Sequence, residues 1–157
     1  MPHTYWRFLI TACTSSGAPS AAEIELRATS GGADQCSGGT ASASSFYPSG
    51  GPYGAAQAFD NNNTTFWASL PAGLPEWVQY QFASPVDVLE YTLRMRPDGE
   101  ASSQGWRDWQ LQYSDNGSTW TQRDSRVSIA SWTAGEQRTF TLTPLAPAAQ
   151  PHMQVVA

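Results

Sequence analysis

The chain has 157 residues, a net charge of −5, no lysine, 40% apolar residues and only 13% charged ones. Seven tryptophans and a low charge density argue against a chain that is disordered as a whole, and no apolar run reaches the roughly 20 residues of a membrane helix. Eight scattered arginines form no basic stripe, so neither nucleic acid nor membrane insertion is expected of it.

The opening MPHTYWRFLITAC has no basic start, and Arg7 interrupts its apolar stretch, so it does not read as a signal peptide. Residues 5–12 read instead as a first strand, rich in β-branched and aromatic side chains. Residues 22–27 alternate, with Ile24 and Leu26 on one face and Glu23 and Glu25 on the other. Residues 77–82 set Val78, Tyr80 and Phe82 against Trp77, Gln79 and Gln81. The stretch 86–96 puts Leu89, Tyr91, Leu93 and Met95 on one face. Residues 108–114 do the same with Trp109, Leu111 and Tyr113, and residues 136–142 with Phe140 and Leu142. The links between them, 30–40, 48–54, 98–105 and 114–118, are rich in Gly, Pro, Ser and Asn. Asn116-Gly117 signals a hairpin. About eight short strands with frequent turns predict an all-β sandwich or barrel over residues 1–143. The Pro- and Ala-rich segment 144–157 reads as a tail or linker, with a short apolar run at 152–156.

Chemistry is sparse. The two histidines, His3 and His152, lie near the ends, and no nucleophile, metalloprotease or phosphate-loop motif is present, so no enzyme is expected. Cys13 and Cys36 are too few for a disulfide scaffold or a zinc site, and their pairing is open. The densest polar cluster is AFDNNNTTFW at 58–67. Its close-set oxygens suit a hard cation such as Ca²⁺, but one carboxylate is too little charge, so a second acid must come from elsewhere. A polar turn capping its own backbone is the competing reading.

Several pieces carry a resemblance. AQAFDNNNTTFW, at 56–67, resembles the A-[FIL]-D-G-[ND]-x-x-T-x-W signature of discoidin-type domains, which include the coagulation factor V/VIII C domains and the family 32 carbohydrate-binding modules. TASASS (40–45) resembles the opening strand of those domains. EWVQYQF (76–82) and DWQLQYSDNGSTW (108–120) resemble later ones, and YWRF (5–8) and AEIEL (22–26) resemble strands that normally close the domain. Here those closing elements come first. Either the chain is circularly permuted, which is easy where chain ends lie together, or a module is cut at an unusual point. Asn61 replaces the signature glycine, and asparagine tolerates left-handed φ better than most residues.

The resemblance implies a single discoidin-like β-sandwich (jelly-roll). It implies one structural Ca²⁺ held by Asp60, the Asn62 side chain, Thr65 and the Gln57 carbonyl, with Glu23 as the distant acid and the Ala22 carbonyl beside it. It also implies ligand recognition by loops at one end of the barrel. Trp6, Trp67, Trp77, Trp109 and Trp120 fall on strand patterns or signature positions and are expected in the core or at its edge. Trp106, Phe46, Tyr47 and Tyr53 sit in or beside loops and are assigned to ligand contact, with Arg96 and Asp98 offering hydrogen bonds to sugar hydroxyls. The expected function is non-enzymatic binding of a cell-surface glycan, at an extracellular surface or on a phage virion for host attachment. The alternative is a structural virion or decoration protein whose partners are other virion proteins or copies of itself.

Overall fold

The computed structural model describes residues 1–144; the tail segment from residue 145 on, with its apolar run at 152–156, lies outside the described residues. Among the described residues ten strands build the molecule: β1 His3–Cys13, β2 Ser20–Ala21, β3 Glu23–Arg27, β4 Thr40–Ala43, β5 Trp67–Ala68, β6 Glu76–Val86, β7 Glu90–Arg94, β8 Trp106–Ser114, β9 Thr121–Arg126 and β10 Gln137–Thr141. A 3-10 turn, Ala55–Ala58, and a single helical turn, α1 Ala101–Gln104, complete it.

One sheet has the order β4-β6-β1-β8-β9, a second β10-β7-β3, and β2 pairs with β5 in a two-stranded ribbon. The sheets form a sandwich, as the alternating patterns predict. Every pairing among the described residues is antiparallel. β1 lies in the middle of the five-stranded sheet, with Phe8 opposite Val78 on one side and Leu111 on the other. The early segment therefore closes the same sheet as the later strands, and β3 likewise pairs with β7.

The core follows from the alternation. Trp6, Phe8 and Ile10 from β1 meet Tyr91 and Leu93 from β7 and Ile24 and Leu26 from β3, all of them buried. Phe8 packs edge-on to Tyr91 at 5.1 Å, and Trp109 edge-on to Phe140 at 5.3 Å. Inside this core the Trp109 indole N–H donates to the Tyr91 hydroxyl at 3.1 Å, which donates in turn to Asp124 at 2.9 Å. Burial pushes the Tyr91 phenol well up, so it stays a donor.

Three tryptophans depart from expectation. Trp106 is fully buried rather than at the ligand. Irregular pairing between β1 and β8, where Ile10, Ala12 and Cys13 meet Trp109, Asp108 and Trp106, turns both tryptophans inward although they are three positions apart. Trp77 and Trp120 are half-exposed and belong to neither apolar cluster of the described residues. Trp132, in a segment with no strand pattern, is buried, and its N–H donates to the Trp106 carbonyl at 2.8 Å. Gly105 permits that contact, since a Cβ there would fall 2.4 Å from Trp132.

Asn116 does not take positive φ, although Gly117 does (φ 70°). The β8–β9 connection is instead an Asx turn in which the Asn116 side-chain oxygen accepts the N–H groups of Ser118 and Thr119. Cys13 and Cys36 are buried, free thiols. Burial pushes the Cys13 thiol up to about 12, which leaves it inert.

Candidate functional site

Two places gather the polar and aromatic residues singled out above. The first is the loop after the 3-10 turn. Asn61 takes φ 57°, so the signature turn survives without glycine. This brings the Asn62 N–H to two carboxylates at once, Asp60 Oδ1 at 2.9 Å and Glu23 Oε2 at 3.1 Å. Thr65 Oγ1 donates to Asp60 Oδ2 at 2.7 Å.

Glu23 is 3% exposed, and its Oε1 has no partner among the described residues. Burial, with Asp60 and Asp34 adding negative charge, pushes its carboxyl up to about 8 against the lowering effect of the Asn62 and Asn61 N–H groups. An orphaned carboxylate oxygen beside a second acid is what a hard oxygen-seeking cation would satisfy. Glu23, Asp60 and Thr65 fit that role. The Asn62 side chain does not come to it, because its oxygen accepts both the N–H and the hydroxyl of Thr64. The neutral carbonyls assigned alongside them lie on Gln57, within the 3-10 turn, and on Ala22, just before β3. Among the described residues no three His, Cys, Asp or Glu side chains converge on a metal position, so neutral oxygens would have to complete the set.

The second place is a cavity of about 390 Å³, within the size range of small-ligand sites. Tyr47, Tyr53 and Arg96 line it, joined by Ser69 from the loop after β5 and by Glu100 and Gln104 at α1. β5 sets the geometry: the Ala68 carbonyl accepts the Tyr47 N–H at 2.8 Å, and the Ala68 N–H donates to the Tyr53 carbonyl at 3.3 Å. Tyr53 stacks on Phe66 at 4.5 Å and 11°, and the Arg96 guanidinium lies 4.1 Å over the same Phe66 ring. Arg96 is locked further by a bidentate pair to Asp98, at 2.6 and 2.7 Å, and by Gln104 Oε1 at 2.8 Å. That fork holds the Asp98 carboxyl below its ordinary range. Tyr47 is 50% exposed.

Of the six residues assigned to ligand contact, Tyr47, Tyr53 and Arg96 share this cavity. Asp98 stands behind Arg96 rather than in the lining. Phe46 is half-buried against the main core, and Trp106 is inside it. The sequence did not point to Ser69, Glu100, Gln104 or Phe66. A single helical turn has no period to read, and the role of Phe66 shows only once Tyr53 and Arg96 flank it.

Residues 40–148 match the F5/8 type C domain family, whose members are generally binding modules rather than enzymes. No curated protein and no solved structure matches the chain. The match begins at β4, so β1–β3 precede it in sequence while sharing its sheets. The matched span and the all-β sandwich agree, and the chain belongs to the F5/8 type C domain family.

Proposed function

We propose that the chain is a non-enzymatic glycan-recognition module whose ligand occupies the cavity between the β5 loops and α1. The observation that carries this reading is the Tyr53–Phe66–Arg96 stack beside half-exposed Tyr47. A sugar ring can lay its C–H face on a tyrosine, while Glu100, Gln104 and Arg96 meet its hydroxyls. Arg96 is neutralised by Asp98 and Glu100 adds a carboxylate, so the cavity suits a neutral sugar better than an acidic one. In this reading a Ca²⁺ held by Glu23, Asp60 and Thr65 is structural, pinning the loop to β3. The module serves attachment to a cell-surface glycan from an extracellular surface or a phage virion.

A glycan array with purified protein tests this, alongside Tyr53→Ala and Tyr47→Ala. Binding of a neutral glycan that falls tenfold or more in either variant, with melting temperature kept, is the expected result. Absence of any glycan ligand, together with purification inside a larger assembly, would replace it with the structural or decoration role.

A further inference from the structure

The outer face of the five-stranded sheet carries side chains that the core does not use. Cross-strand register places Leu9 beside Trp77 and Gln110, Arg7 beside Gln79 and Gln112, and Tyr5 beside Gln81. Their inward neighbours Trp6, Phe8, Val78, Tyr80 and Leu111 fill the core, so alternation sends this set outward. Tyr5, Leu9, Trp77 and Trp120 are half-exposed and join no apolar cluster.

At the centre is Arg7. Its guanidinium lies 4.0 Å over the Trp120 ring, and its Nε donates to Gln112 Oε1 at 2.7 Å. Gln112 Nε2 in turn donates to Gln110 Oε1 at 2.8 Å. The arginine is thus fixed by a ring and by a chain of two amides. Among the described residues it pairs with no carboxylate, its two Nη groups have no partner, and the side-chain amides of Gln79 and Gln81 have none either. In a protein of net charge −5 this is a preset cationic fork surrounded by neutral amides and aromatic faces.

We infer that this sheet face is a second binding surface, for a glycan polymer bearing carboxylates. The Arg7 fork takes a carboxylate through its two Nη groups. The free glutamine amides take hydroxyl or acetamido groups, and Trp77 and Tyr5 offer ring faces to sugar C–H edges. From Tyr5 to Leu9 the face runs about 13 Å along β1, and neighbouring strands widen it by about 4.8 Å each, which exceeds one sugar ring and suits a chain. A two-fold contact of this face with its own copy, centred on Arg7, would oppose two unpaired guanidinium groups. The inference goes beyond the cavity reading and does not depend on it.

The test uses hyaluronan, polygalacturonate and polysialate, each against its carboxyl-reduced counterpart, with binding measured by affinity electrophoresis and calorimetry. At least one carboxylated polymer should bind, at least tenfold more tightly than its reduced form. Arg7→Gln should remove that preference, and Gln79→Ala, at a side chain with no protein partner, should weaken binding severalfold with the fold intact. Tyr53→Ala should leave it unchanged. No binding to any of the three, equal binding of both forms, or loss with Tyr53→Ala but not Gln79→Ala would overturn the inference. A preference that persists in folded Arg7→Gln would overturn it as well, and if that variant fails to fold, Gln79→Ala against Tyr53→Ala still places the site while the reduced-polymer comparison reads its need for carboxylates.

Discussion

Glu23 and Asn62, 39 positions apart, meet where the Asn62 N–H donates 3.1 Å to the buried Glu23 carboxylate. That bond ties the signature loop to β3 and leaves Glu23 short of positive charge. Its raised pKa means that the native state holds a proton the unfolded chain has released. Without a cation, stability is therefore expected to fall as pH rises from about 4.5 to about 8. Glu23→Gln should flatten this dependence and stabilise the cation-free protein at pH 8 by on the order of 2 kcal/mol. Urea melts across pH 5–9 check it, and an unchanged slope in the variant would refute it.

Ca²⁺ should act in the opposite sense at the same place. A cation bound only by the native state stabilises by about 2.7 kcal/mol at a hundredfold excess over its Kd. Added Ca²⁺ should raise the melting temperature of stripped protein, and Asp60→Ala should abolish that rise. Superimposable melts with and without Ca²⁺ would remove the metal from the account.

Glu90 supplies the acid-side counterpart. It is 3% exposed and accepts from Ser30, the Gly31 N–H and Arg27, which bring its carboxyl down to about 2. A depressed pKa stabilises above about 4.5, and that contribution is lost as pH falls toward 2. Glu90→Gln should cost about 1–2 kcal/mol at neutral pH and shrink the loss between pH 4.5 and 2. Acid-unfolding curves of the two proteins give the comparison.

Trp106→Ala should behave as a core truncation, costing about 3–5 kcal/mol of stability, as should Trp109→Ala. Gly105→Ala should also destabilise, because its Cβ would meet Trp132 at 2.4 Å and the Ala101 carbonyl at 2.7 Å. Trp77→Ala, on the outer face, should cost far less. Chemical denaturation of the four variants ranks them.

The sandwich was legible because β3, β6 and β7 alternate apolar and polar residues in sequence and β1 is a long apolar run, although β7 buries Glu90 and Thr92 as well as Tyr91 and Leu93. The resemblance of AEIEL to a closing strand placed Glu23 at the signature loop, and Glu23 and Asp60 do share the Asn62 N–H. What escaped was decided by partners distant in the chain. Trp106 faces inward only because β1 and β8 shift register beside it. Trp77 occupies a strand position that alternation alone assigns to the face opposite Val78, and the motif resemblance drew it toward the core. β2 and β5 are two residues each and carry no period at all. The cavity lies beside β5 and α1, so most of its lining was beyond reading.

The central position of β1 shapes how the chain must come together. β1 precedes both of its sheet neighbours, which run from residue 76 and from residue 106, so an amphipathic strand waits with both edges open until they emerge. Its contacts span long loops, which predicts slow folding and a window for misassociation while the sheet is incomplete. Removing residues 1–12 would strip a middle plank rather than trim an end, leaving β6 and β8 without the strand that joins them. Among extensions of this protein, those that burden β1 should therefore harm folding most.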